Sequence, residues 1–214
     1  MASTSNNRNI SMTENRKNPP SRSPLLMNRN QTAMVVIDVQ EKLTPLIDNS
    51  TLCCWNIGRL VRGSQLLQIP VIATEQYPAG LGSTIASLSS LLQDADSNCF
   101  EKTMFSVREL TPVFEQLQEK KIQNLIVTGI ESHVCVMQSA LDLMSQGFDV
   151  FIPVDAISSR YQIDHETALC RLETSGATLV TTEMVLFELC ESSGSPDFKA
   201  ISQLIKEEPP SETS

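Results

Sequence analysis

The sequence predicts an α/β protein: a single Rossmann-like domain of three layers, with a mostly parallel sheet of six strands and helices on both faces. Short, continuous apolar runs alternate along the chain with longer segments of helical periodicity, which is typical of a parallel sheet covered on both sides. The chain has 214 residues, of which 41% are hydrophobic and 19% are charged. That length and balance suffice for one well-buried domain.

The first half of the chain is expected to supply three strands and two helices. In chain order these are strand 34–37, helix 52–67, strand 71–74, a Pro/Gly loop at 76–82, helix 85–92 and strand 99–102. The strands are short apolar runs, and the first helix repeats apolar residues such as Ile57, Leu60 and Val61 at helical spacing.

The second half repeats the alternation. It is expected to contain helix 110–120, strand 125–127, helix 134–146, strand 148–153, helix 163–174, strand 177–180 and helices 183–190 and 197–206. Gly147 and Gly176 follow two of these helices and predict their C-terminal caps. Strands separated by helices run parallel to one another, so their carboxyl ends are expected at one edge of the sheet.

Three segments are predicted from composition. Residues 1–30 are rich in Ser, Asn, Arg and Pro and are expected to be a disordered tail, 31–206 the folded domain, and 207–214 a polar tail. The basic, Ser-rich N-terminal segment partly fits a mitochondrial transit peptide, but it lacks an apolar helical face. A cytoplasmic location is therefore expected, with a mitochondrial one as the alternative.

Charge and cysteine usage exclude several classes of function. The first thirty residues hold five basic residues and one acid, so the remainder has 11 basic and 24 acidic residues, a net charge of −13. Such an acidic domain argues against nucleic acid as a partner, and no apolar run is long enough to cross a membrane. The six cysteines show no CxxC spacing, which indicates reduced thiols. With only two histidines a histidine-based metal site is not expected, and we predict no metal and no other cofactor.

Cys135 is the most informative single residue, because it lies where a predicted strand passes into a helix. This is the ligand-binding edge of an open α/β sheet, and a helix N-terminus is expected to lower the pKa of a thiol and to make it the most reactive of the six. Asp38 ends the first strand and Lys102 the third, so both are expected at the same edge. Each residue has an ordinary alternative: Cys135 as a small core residue, Asp38 as a helix cap or the start of a turn, and Lys102 as a surface charge.

Three motifs stand in order along the chain: Asp38 followed by Gln40, Lys102 followed by Phe105-Ser106, and Gly129-Ile130 followed by Cys135-Val136. Together they resemble the isochorismatase-like cysteine hydrolases. The run 74–82 and the ending 196–206 resemble most closely the eukaryotic isochorismatase domain-containing proteins of that superfamily. The resemblance covers about residues 31–206. It implies a triad of Asp38, Lys102 and Cys135 that hydrolyses a small amide or carbamoyl substrate through an acyl-thioenzyme.

The resemblance implies further features of the site. A cis peptide at Ile130-Glu131 would aim an oxyanion donor, and the protein would assemble as a homo-oligomer. Nicotinamidases of this superfamily carry an Asp-x-His type metal cluster after the second strand. The corresponding stretch here has no histidine, which favours a metal-free enzyme.

Weaker candidates and other functions remain open at this point. Gln40, Gln76 and Tyr77 are candidate substrate contacts, with packing or solvent exposure equally compatible. His133 and Arg160 are more readily explained as structural residues. The alternative to a hydrolase is a catalytically silent protein that keeps the fold and binds a protein partner; a nuclease is disfavoured by the acidic domain.

Overall fold

A computed structural model describes residues 21–94 and 98–210 as an α/β domain around one parallel sheet. The strands are β1 (Thr32–Ile37), β2 (Val71–Gln76), β3 (Asn98–Lys102), β4 (Asn124–Ile130), β5 (Asp149–Pro153), β6 (Ile157–Ser158) and β7 (Thr178–Val180). Six of them follow the order β3-β2-β1-β4-β5-β7, and every pairing is parallel. The predicted fold class is confirmed.

The seventh strand was not predicted. β6 has two residues, which pair with Gly129 and Ile130 of β4 beyond the end of β5. A strand of this length leaves no periodic pattern in a sequence, so only the folded chain could show it.

The eight α-helices found in the described residues cover both faces of the sheet. They are α1 (Ser50–Leu66), α2 (Pro78–Leu81), α3 (Ala86–Asp94), α4 (Thr111–Glu119), α5 (Met137–Ser145), α6 (Gln162–Thr174), α7 (Thr182–Cys190) and α8 (Phe198–Ile205). Side chains of β1 alternate between two cores: Met34 and Val36 pack with α1, α3, α7 and α8, whereas Val35 and Ile37 pack with α4, α5 and α6. This period of two on a fully buried strand explains the continuous apolar run in the sequence.

The strand order places a crevice between β1 and β4. From β1 the chain passes outward to β2 and β3, then returns to the other side of β1 to form β4. Ligands of open α/β sheets bind where the order reverses in this way, outside the carboxyl ends of the strands. Asp38 follows β1 and Cys135 follows β4, so the topology brings both to this switch point.

The packed chain begins before residue 31. Met27 is fully buried, Arg29 forms an ion pair of 2.8 Å with Asp197, and Arg22 one of 3.2 Å with Glu191. One apolar anchor and two arginines beside acidic side chains hold 21–30 on the domain, against the expectation of a disordered tail to residue 30. The transit-peptide alternative depends mainly on residues 1–20, which lie outside the described residues, as do 211–214.

Within the described part of the chain, no helix is both long and apolar enough to cross a membrane.

Candidate active site

A buried ion pair lies at the carboxyl edge of the sheet. Lys102 at the end of β3 donates from Nζ to Oδ2 of Asp38 over 2.6 Å, and both side chains are inaccessible to solvent. Thr74 of β2 donates from its hydroxyl to the other oxygen, Oδ1, over 2.7 Å. The structure therefore brings Asp38 and Lys102 together, although they are 64 positions apart in the chain.

The ammonium group has several further acceptors. Nζ also donates to Gln76 Oε1 over 2.8 Å and lies 3.1 Å from the carbonyl oxygens of Met104 and Phe105. A buried charge is tolerated when it is paired and its remaining protons find acceptors, and Lys102 meets both conditions. The loop after β3 thus supplies two of these acceptors through its backbone carbonyls.

Gln40 and Gln76 support this pair through hydrogen bonds within the protein. Gln40 donates from Nε2 to the carbonyls of Gln76 and Gly82 over 3.0 and 2.7 Å, and accepts from the Gln76 backbone N–H over 2.7 Å. Gln76 donates to the Thr103 carbonyl over 2.7 Å while it accepts from Lys102. Both amides are thus engaged in positioning β2 and β3. Of the three weaker candidates, Tyr77 alone is exposed, with 59% of its surface accessible.

Thr74 is a residue of the candidate site that sequence reasoning missed. Its position on β2 pairs with Ile37, the residue before Asp38, so its hydroxyl lies beside the carboxylate. The signal was present as a polar residue that ends the otherwise apolar 71–74 run. Strand register, which relates Thr74 to Asp38, could be read only from the folded sheet.

A tight turn carries Cys135 from β4 into α5. Gly129 has φ +135°, and a Cβ there would lie 2.2 Å from the carbonyl oxygen of Ile37 on β1. Glu131 then adopts the left-handed conformation with φ 58° and ψ 60°, and Ser132–Val136 form a single π-helical turn. Close approach of β1 and β4 at Gly129 is what places the turn against Asp38.

The prediction of a cis peptide bond at Ile130-Glu131 is wrong. No peptide bond among the described residues is cis, and this one is trans. The left-handed Glu131 reverses the chain direction instead, at an energetic cost of about 1–3 kcal/mol, so the turn does not need the cis form.

The expected low pKa of the Cys135 thiol is also wrong. Burial, and secondarily the negative charge of Asp38, raise the pKa of Cys135 to about 12, while Lys102 acts in the opposite direction. Asp38 raises the pKa further as a hydrogen-bond partner of the thiol. Desolvation of the thiolate in a nearly inaccessible site outweighs a helix N-terminus. The resting thiol is therefore neutral and needs a base at the moment of attack.

Glu131 lies close enough to Cys135 for its charge to act on the thiol in the same direction as Asp38. Its carboxylate is buried and pairs with Arg160 Nε over 2.6 Å. Within the described ranges, no group of three or more His, Cys, Asp or Glu side chains is placed to hold a metal ion.

Comparison with known proteins identifies the family of this chain. A family model described as the isochorismatase domain matches residues 32–184. The chain belongs to the isochorismatase family. Among its relatives, isochorismatase domain-containing protein 2 of Xenopus laevis is 37% identical over 186 residues, which cover 86% of this chain and 88% of the relative.

Solved structures of other proteins share the fold of this chain. A structure described as MAR1 ribonuclease from Caenorhabditis elegans superimposes with a TM-score of 0.81 at 38% identity, over 86% of this chain and 94% of that one. The YcaC gene product of Escherichia coli, described as an octameric hydrolase of unknown specificity, gives 0.77 at 22% identity, over 86% and 91% of the two chains. The latter likeness shows the fold alone.

Proposed function

We propose that this isochorismatase-family protein is a cysteine hydrolase of a small amide or carbamoyl substrate, with Cys135 as the nucleophile, and that it works without a metal ion. The observation that carries the proposal is the fully buried Asp38–Lys102 pair beside a buried thiol at the sheet's switch point. A scaffold gains little from this arrangement, since burying an ion pair is at best neutral for stability.

The first chemical step adds the thiol to the substrate carbonyl and gives a tetrahedral intermediate. Cys135 Sγ attacks the carbonyl carbon of the substrate while its proton passes to the Asp38 carboxylate. Because the pKa of the thiol is raised, this transfer has to accompany bond formation. Lys102 and Thr74 hold the carboxylate in one orientation, and Lys102 remains a cation throughout.

The second half of the reaction releases both products. The tetrahedral intermediate collapses, Asp38 returns the proton to the departing amine or ammonia, and the acyl group stays on Sγ. Water then attacks the thioester with Asp38 as base, which releases the acid and restores the thiol. We assign the oxyanion contacts to backbone N–H groups of the turn from Glu131 to Cys135, whose loss in comparable sites costs about 3 kcal/mol of transition-state stabilisation.

The test is direct capture of the thioester. Purified protein is mixed with a panel of small primary amides and N-carbamoyl amines; ammonia release and the mass of the Cys135 peptide are measured after acid quench. We expect an acyl adduct on Cys135 in the wild type and none in Cys135→Ala, whereas Cys170→Ala serves as a matched control at an exposed cysteine. Turnover that survives in Cys135→Ala would contradict the proposal.

The relative described as a ribonuclease makes RNA a necessary second substrate in this assay. If RNA-cleaving activity copurifies with the protein and is lost in Asp38→Asn, the protein is a ribonuclease and the amide proposal is wrong. Absence of turnover on both substrate classes, with no adduct on Cys135, would favour the catalytically silent interaction protein.

A further inference from the structure

The two histidines of the chain are joined by two buried serine hydroxyls. His133 Nδ1 lies 3.0 Å from Ser159 Oγ, Ser159 Oγ is hydrogen-bonded to Ser132 Oγ, and Ser132 Oγ lies 3.1 Å from His165 Nδ1. Both serines are buried, with at most 1% of their surface accessible. The result is one unbranched chain of three hydrogen bonds between two ring nitrogens.

The two ends of this chain have different surroundings. His133 belongs to the π-helical turn that carries Cys135. His165 of α6 lines a separate cavity of about 420 Å³, together with Ser159. The catalytic carboxylate and lysine are not among the residues that line this cavity.

Counting hydrogens fixes the direction of the three hydrogen bonds that join the two histidines. Three links need three hydrogens, of which the hydroxyls supply two, so one histidine must carry a proton on Nδ1 and the other must not. His133 is the donor, because its Nδ1 lies 3.4 Å from Glu131 Oε2, a buried oxygen with no hydrogen-bond partner among the described residues. His165 Nδ1 then accepts from Ser132, and the neutral His165 carries its proton on Nε2.

Charged groups around both rings are consistent with this polarity. His133 faces Glu131 on one side and Asp164 of α6 on the other, at 3.8 Å from Nε2, while Arg160 holds the second oxygen of Glu131. Burial lowers the pKa of His165, and Glu166 and Asp48 oppose that effect.

We propose that His133, Ser159, Ser132 and His165 form a proton-transfer chain between the turn that carries Cys135 and the cavity beside His165. A cationic His133 passes its Nδ1 proton to Ser159, Ser159 passes its own to Ser132, and Ser132 passes its own to His165 Nδ1. His133 becomes neutral and His165 cationic, and all three links are remade in the opposite direction. His165 then releases its Nε2 proton into the cavity, so that one proton has crossed.

The proton-transfer chain affects catalysis through Glu131, a consequence that rests on the proposed function. A proton on His133 lies against the Glu131 carboxylate, whose negative charge opposes ionisation of the Cys135 thiol. His133 and Ser159 are therefore positioning residues that adjust the charge beside the nucleophile.

The test uses nitrogen-15 histidine labelling, because a protein with two histidines gives only two ring spectra. Near neutral pH we expect opposite tautomers, with the proton on Nδ1 of His133 and on Nε2 of His165. In Ser159→Ala the midpoint of the His165 titration should rise by about one pH unit, because its protonation no longer requires the chain to reverse. Ser145→Ala, which removes an exposed hydroxyl from α5, should leave that midpoint unchanged.

Two results would overturn the proposal. One is an Nε2–H tautomer on both histidines of the wild type, a measurement that needs no variant. The other is a His165 titration that is identical in the wild type and in folded Ser159→Ala. Neither depends on a substrate, so failure of the Cys135 thioester assay and failure of this chain are separate outcomes.

Discussion

Replacing Asp38 with Asn should make Cys135 more reactive towards an alkylating agent while turnover is abolished. The Asp38 charge and its hydrogen bond both raise the pKa of the thiol, and Lys102 lowers it. Asp38→Asn removes the two unfavourable effects and leaves the lysine, so the thiolate becomes easier to form. Catalysis fails in the same variant because the base is gone.

The size of the effect follows from the thiolate fraction. With a pKa of about 12, only about one thiol in 10⁵ is ionised at pH 7. A carboxylate in contact shifts a neighbouring pKa by about one to three units. Each unit raises the thiolate fraction tenfold but weakens the nucleophile, so that about a three- to fourfold gain in rate remains. Cys135 of Asp38→Asn should therefore be alkylated about 3 to 60 times faster than in the wild type.

The assay is limited iodoacetamide labelling at pH 7–9 with peptide mapping, using the exposed Cys170 as the internal reference. Lys102→Met is the opposing variant: it removes the charge that favours the thiolate and should slow labelling of Cys135. In the wild type the exposed Cys99, whose pKa burial raises to about 11, should label before Cys135. If Asp38→Asn is folded by circular dichroism and labels Cys135 no faster than the wild type, the Asp38 charge does not control the thiol as proposed.

Four further results are expected. Urea unfolding should show that Lys102→Met lowers the free energy of unfolding by about 3–5 kcal/mol, because Asp38 is left buried without its partner. The double variant with Asp38→Asn should lose clearly less than the sum of the two single variants. Additive losses would contradict a coupled pair. Gly129→Ala should lose at least about 2 kcal/mol of unfolding free energy through the clash with β1, whereas Gly147→Ala, where a Cβ meets nothing within 4 Å, should lose less. Equal losses would mean that backbone strain at positive φ accounts for both and that the clash contributes nothing. Amide turnover should persist after dialysis against EDTA, and stoichiometric zinc by elemental analysis would oppose a metal-free mechanism. Light scattering should give a mass above that of one chain, since three exposed large side chains, Tyr77, Met104 and Phe105, follow β2 and β3 beside the buried ion pair; a monomer at micromolar concentration would contradict assembly.

The fold class and the edge of the sheet that holds the candidate site could be inferred from the sequence without coordinates. Continuous apolar runs such as 34–37 and 125–127 identify strands buried on both faces, and their alternation with helices requires parallel pairing. Because parallel strands end at a common edge, Asp38 and Lys102 could be placed near each other before any distance was known. These inferences succeed because they depend on local periodicity and on chain direction, which every sequence carries explicitly.

The electrostatics and the shape of the site depend on contacts that exist only in the folded chain. Whether the Cys135 thiol is acidic or resists ionisation depends on burial and on a carboxylate 97 positions away in the numbering, so the local helix argument gave the wrong sign. The partners of Gln40 and Gln76 and the trans peptide before Glu131 likewise follow from strand register and turn geometry. These properties are sums over contacts between distant segments, and a linear pattern does not encode which segments meet.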